Sequence, residues 1–140
     1  MGTGNTGIQV ALVGRGNATN AYRGKLALSS TGTLTAYLTR VVAGAETTVA
    51  QTPVTGLTYA SGETLHLRLQ VIGSGSTALQ FKVWKGSDPE PASWRLSTTD
   101  TTAALQSAGG IGVWTYLSSA ATNAPVTVTV DNVAATHTLN

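Results

Sequence analysis

Asp88, Glu90, Trp94 and Arg95 fall within the eight-residue run Asp88-Pro89-Glu90-Pro91-Ala92-Ser93-Trp94-Arg95. A flat indole beside a guanidinium and carboxylates is suited to holding a sugar. The apolar C–H face of the ring lies on the aromatic wall, and the hydroxyl rim takes the hydrogen bonds. Tyr116 and Asn123 flank the next loop and extend the set, so the candidate ligand-binding residues are Trp94, Arg95, Asp88, Tyr116 and Asn123. Packing is the competing use. Trp84 closes the run Phe81-Lys82-Val83-Trp84, and the two indoles could stack on each other and pin the proline-punctuated loop between them. On this reading Trp84 is the structural pin and Trp94 the ligand contact. Trp114 and Tyr116 share a strand face opposite Val113, either a second half of the core or an exposed aromatic strip.

Catalysis finds no equipment of this kind. Hydrolysis of a glycosidic bond needs two carboxylates facing it. The acidic residues are Glu46, Glu63, Asp88, Glu90, Asp100 and Asp131, and the one closely spaced pair, Asp88 and Glu90, lies in a loop. No nucleophile elbow, phosphate loop or zinc-protease signature occurs, so no enzyme and no catalytic residue is expected. His66 and His137 have no second metal ligand at useful spacing, and the chain has no Cys. Asp88, Glu90, Asp100 and the Asp131-Asn132 pair could offer calcium oxygen ligands, but they form no loop motif. Asp131 and Asn132 read instead as groups satisfying backbone at a strand end, and neither metal nor cofactor is expected.

The elements that must position these residues repeat with a period of two. Ile8, Val10 and Leu12 alternate with Gln9 and Ala11; Leu34, Ala36 and Leu38 with Thr33, Thr35, Tyr37 and Thr39. Leu65, Leu67, Leu69 and Val71 alternate with His66, Arg68 and Gln70, and Val126, Val128 and Val130 with Thr127 and Thr129. Such alternation puts one apolar and one polar face on a half-buried antiparallel strand. Turn residues separate the runs at Ser30-Thr31-Gly32, Gly44, Ser61-Gly62 and Gly73-Ser74-Gly75-Ser76, and Gly109-Gly110-Ile111-Gly112 suggests a bulge. About nine strands at this spacing predict an all-β, two-sheet antiparallel sandwich. The stretch 101–106 allows at most one helical turn. Residues 1–7 read as a flexible lead and 8–140 as one domain.

Composition narrows the partners. Charged residues make up 10% of the 140, against about 25% in an ordinary domain, and the net charge is only +2. With no Lys/Arg cluster to neutralise phosphates, nucleic acid is not an expected partner. No run approaches the roughly 18 apolar residues of a membrane span, and the N-terminus does not read as a signal peptide. A neutral surface rich in Thr, Ser, Asn and Gly suits an extracellular or virion-exposed protein.

In order, the motifs Leu-Arg-Leu-Gln-Val-Ile-Gly (67–73), Lys-Val-Trp (82–84), Glu-Pro-Ala-Ser-Trp (90–94), Gly-Gly-Ile-Gly-Val (109–113) and Val-Thr-Val-Asp-Asn-Val (128–133) resemble a concanavalin A-like, laminin-G-like jelly-roll module. The nearest likeness is to modules of actinobacterial extracellular proteins and of virion proteins of their phages. Arg15 and the stretch 22–28 fit the same pattern. The resemblance implies a jelly roll used as a non-catalytic lectin-like binding or adhesion module, with cell-surface glycan as the ligand class. It carries no set of binding residues over, because these modules vary their loops. It also implies strands ahead of Ile8, where little sequence stands. A sheet without such a strand exposes backbone that invites pairing, so a homo-oligomer or docking on a larger assembly is expected. The alternative function is a decoration or tail-associated protein of a phage particle.

Overall fold

The structure, a computed structural model, describes residues 7–122 and 124–137. Its strands are β1 (Ile8–Gly16), β2 (Ala21–Leu28), β3 (Thr33–Val42), β4 (Ala45–Thr58), β5 (Leu65–Ile72), β6 (Thr77–Lys85), β7 (Leu96–Asp100) and β8 (Gly110–Leu117). One 3-10 turn, Ala103–Leu105, interrupts them where the sequence allowed a single turn. A large sheet runs β4-β3-β2-β1-β8 and a small one β5-β6-β7. Every pairing is antiparallel, as the alternating patterns require. The fold is therefore the expected all-β sandwich.

The hairpins close where the turn chemistry placed them. Gly32 supplies a φ of 82° in the β2–β3 turn, a conformation that side-chain-bearing residues avoid. The β1–β8 register shifts between Val13 and Gly16, opposite the glycine pair at the start of β8, as the sequence suggested.

Eight strands form among the described residues, in keeping with the expected number of about nine. The alternating segment that forms no strand is that of Val126, Val128 and Val130. Alternation says which face a strand would bury. It does not supply the neighbour that buries it.

Tyr22, Leu26, Leu34, Ala36 and Leu38 from the large sheet meet Leu79, Phe81, Val83 and Leu96 from the small one. The sheets pack closely at Gly24, where a Cβ would stand 2.5 Å from the Phe81 ring. At one end a polar cluster ties the layers together. The Tyr22 hydroxyl donates to Asp100 Oδ2 at 2.7 Å, and the Arg40 guanidinium donates to Asp100 Oδ1 at 2.6 Å. Arg15 donates to Thr77 Oγ1 at 2.8 Å, to the Leu105 carbonyl at 3.2 Å and to the Gly73 carbonyl. Burial, then the hydrogen bond to Asp100, pushes the Tyr22 hydroxyl up to about 12. Burial alone would raise the Asp100 carboxyl, but hydrogen bonds from Tyr22, Thr102 and Arg40 outweigh it and hold the group below its ordinary value.

The sandwich is closed on one side only. On β6 the inward Leu79, Phe81 and Val83 are no more than 2% exposed. On the adjacent β5 the inward Leu65, Leu67, Leu69 and Val71 are only half-buried. The small sheet ends at β5, whereas the large sheet continues through β1 to β8. The register Leu12↔Val113 puts Ile111 and Val113 on the inward face of β8, yet they are 64% and 37% exposed.

Candidate functional site

The register separates the candidate residues onto opposite outer faces. Phe81 points inward, so Lys82 and Trp84 point out from the small sheet, with His66 and Arg68 beside them on β5. Gly24 points inward, so Arg23 and Lys25 point out from the large sheet. The pairs Ala11↔Lys25 and Ala11↔Trp114 put Trp114 and Tyr116 on the same outer face.

On the small sheet, the 86–95 loop folds down over Lys82. That ammonium is 4.7 Å from the Trp94 ring centroid, donates to the Pro91 carbonyl at 2.7 Å, and meets Glu90 at 2.8 Å. Arg68 reaches the same Glu90 oxygen at 2.8 Å. The hydrogen bond from Lys82, assisted by the Arg68 charge, holds the Glu90 carboxyl below its ordinary value. Lys82 therefore lies 7% exposed beneath the loop, with one face of Trp94 against it. Arg95 anchors the loop through its backbone, its N–H donating to the Phe81 carbonyl at 3.0 Å, while its side chain is exposed. Asp88 is exposed at the loop tip. A shallow depression of about 360 Å³ is lined by Lys82, Val83, Pro91, Ser93, Trp94 and Arg95. Trp84 stacks on His66, centroids 5.2 Å apart and planes inclined by 24°. Lys82 is thus the partner of Trp94, and His66 that of Trp84. The loop is pinned by a cation and two ion pairs.

The large sheet gathers more chemistry. Trp114 and Tyr116 are parallel to within 2° with centroids 5.9 Å apart, and Tyr116 is 46% exposed. The Arg23 guanidinium carbon lies 4.3 Å from the Trp114 ring centroid. Lys25, 8% exposed, has its ammonium 5.2 Å from the Tyr37 ring and 6.0 Å from that of Trp114. Glu46 joins the cations: it meets Arg23 at 3.5 Å and Lys25 at 3.2 Å, and accepts the Thr39 hydroxyl at 2.7 Å. Burial would raise the Glu46 carboxyl, but Thr39, Lys25 and Arg23 hold it below its ordinary value, so it is ionised at neutral pH. Arg23 Nε is buried without a hydrogen-bond partner among the described residues. Leaving such a donor unsatisfied costs about 1–3 kcal/mol.

Trp94, Arg95 and Asp88 thus share one loop, and Tyr116 lies on the far side of the sandwich from them. Asn123 lies outside the described residues. The Trp114–Tyr116 face is the exposed strip of the two alternatives left open by the sequence. Sequence reasoning missed Arg23, Lys25, Tyr37 and Glu46 as its companions. Arg23 and Lys25 alternate with Gly24 on β2, which marks them as outward, but the Trp114 ring beside them comes from a strand some 90 residues away in the sequence. Among the described residues no cluster of His, Asp and Glu has the makings of a metal site. No protein-family model, no curated protein and no solved structure matches the chain.

Proposed function

We propose that the protein is a non-catalytic carbohydrate-binding and adhesion module, displayed outside the cell or on a virion, and that its glycan site is the outer face of the large sheet. The observation that carries this reading is the parallel Trp114–Tyr116 pair, with Tyr116 exposed and Trp114 half-buried, bordered by Arg23, Lys25 and Glu46. Tyr116 offers a ring face to the C–H side of a sugar, and Trp114 behind it is held by the Arg23 guanidinium. Glu46 and Tyr37 add polar groups for the hydroxyl rim, and the buried Thr39 hydroxyl holds Glu46 in place. A flat sheet face suits a polysaccharide chain better than a small enclosed ligand. The resemblance of the ordered motifs to concanavalin A-like modules supports the same ligand class. The Trp94 loop is the weaker site, because Lys82 already occupies one indole face.

Binding to a glycan array and to host cell walls, followed by titration of the best ligand, tests the reading. Tyr116→Ala is expected to weaken binding about tenfold or more, equal to about 1.4 kcal/mol, with Trp94→Ala near the parent. The reverse pattern would move the site to the small sheet. No binding of any carbohydrate by the folded parent would end the reading. A second reading, a decoration or tail-associated protein of a phage particle, is supported by the open side of the sandwich, a surface suited to assembly.

A further inference from the structure

The half-buried leucines of β5 and the exposed inward face of β8 border one gap in the sandwich. The edges that border it are unprotected. At the opposite side, β4 carries Pro53 and two register irregularities, and β7 has only five residues; these devices discourage edge pairing. β5 and β8 run eight residues each, and β8, Gly-Ile-Gly-Val-Trp-Thr-Tyr-Leu, contains neither charge nor proline.

The same chain carries a strand without a place. Residues 126–131, Val-Thr-Val-Thr-Val-Asp, alternate as a half-buried strand does, up to the left-handed Asn132 (φ 52°), yet Val128 and Val130 are 38% and 47% exposed. Laid beside β5, Val126, Val128 and Val130 would continue the inward row of Leu65, Leu67, Leu69 and Val71 over the bare face of β8. Thr127, Thr129 and Asp131 would then lie outward beside His66, Arg68 and Gln70. The one charge of the segment, Asp131, is opposite in sign to Arg68, the charged residue in that row, which also pairs with Glu90 at 2.8 Å.

Direction decides whose segment it is. A Cβ at Gly14 would meet Val71, and one at Gly24, opposite Leu12, would meet Leu69, so β5 runs the same way as β1. β8 runs against β1 and ends at Leu117, opposite Ile8. A segment turning back from Leu117 would therefore run parallel to β5, in a molecule whose pairings are all antiparallel. The segment of a second copy related by a two-fold axis enters from the other end and pairs antiparallel. Each chain has one such gap and one such strand, so a reciprocal exchange closes both and leaves a finite dimer. We infer that residues 126–131 add to the β5 edge of a second copy, making a strand-exchanged dimer. The inference is independent of the glycan reading, which uses the other side of the large sheet.

The chain has no Cys, so introduced pairs report without background. Thr129→Cys protein is co-refolded with His66→Cys, Arg68→Cys or Gln70→Cys protein, which samples three registers, and is then oxidised. The expected result is a disulfide-linked heterodimer at twice 14.3 kDa for one of the three mixtures, at micromolar concentration. The corresponding double variants test the alternative. A cross-linked monomer from any of them, persisting on dilution, would show that each chain fills its own gap and would overturn the inference. Failure of every pair to cross-link between chains would overturn it too. Sedimentation of the parent supplies a cysteine-free check: dimer is expected, and Val128→Lys with Val130→Lys should return it to monomer with its strand spectrum retained. A parent that stays monomeric at tens of micromolar would likewise refute the exchange.

Discussion

The two sides of this sandwich are built from the same kind of strand and end in different states. Where β6 and β7 lie over β2, β3 and β4, inward side chains such as Leu38, Leu79 and Phe81 are fully buried. Where β5 faces β1, with β8 lying beyond it uncovered, the inward residues are just as apolar but remain half or more in water. The difference lies in neighbours. β6 has a strand on each side and a sheet beneath, whereas β5 has one flank free. An apolar alternating pattern is thus a capacity for burial, and its stabilisation, roughly 25 cal/mol per Å² of apolar surface removed from water, is realised only where a partner removes that water.

The sharpest way to break this comparison is to truncate the closed side. Phe81→Ala should cost about 3–5 kcal/mol in urea unfolding, because the ring fills the space against Gly24 and leaves a cavity. A loss under 1 kcal/mol would mean that the closed side is no better packed than the open one.

A smaller effect should follow from pH at the buried cluster. The Tyr22 hydroxyl stands at about 12 in the folded protein, against about 10 when unfolded. Its contribution is fully present below pH 10 and is lost as pH rises toward 12, because the unfolded chain gives up the proton first. Asp100 works in the other direction: its depressed carboxyl stabilises above the unfolded value near 3.9, and that stability falls away as pH drops through the folded one. Tyr22→Phe should flatten the alkaline limb of stability against pH while leaving much of the acid limb. An unchanged alkaline limb would disconnect the hydroxyl from stability.

The smallest effect belongs to the open side. Ile111→Thr should shift stability by no more than about 0.5 kcal/mol at dilutions where the chain is monomeric, since the side chain is mostly in water already. A loss of 2 kcal/mol in the monomer would show that the gap is filled from within the same chain.

Much of the fold could be read from the sequence, because antiparallel strands advertise themselves locally. Leu65, Leu67, Leu69 and Val71 announce a face, and Ser30-Thr31-Gly32 announces a hairpin. The candidate site was legible only in part. Trp94 and Arg95 were found with their loop, but the buried partner of Trp94, Lys82, was not, since an ammonium beneath an indole follows from the path of the loop. Tyr116 was found, yet it was grouped with Trp94. The side each ring takes depends on register across three strands, β8 to β1 to β2, which no local pattern encodes. For the same reason the 126–130 alternation was read as a ninth strand, although its pairing depends on a partner.

Gly24 and Phe81 act as a peg in a socket. The absence of a side chain at one position makes room for the ring at the other, and the fit sets how far one layer can slide along its partner. A methyl at position 24 would displace the ring, and a smaller residue at 81 would leave the hollow empty. The two positions can therefore drift only in concert: any descendant that enlarges one must shrink the other, and sequences that preserve this layer alignment should vary at both sites together or at neither.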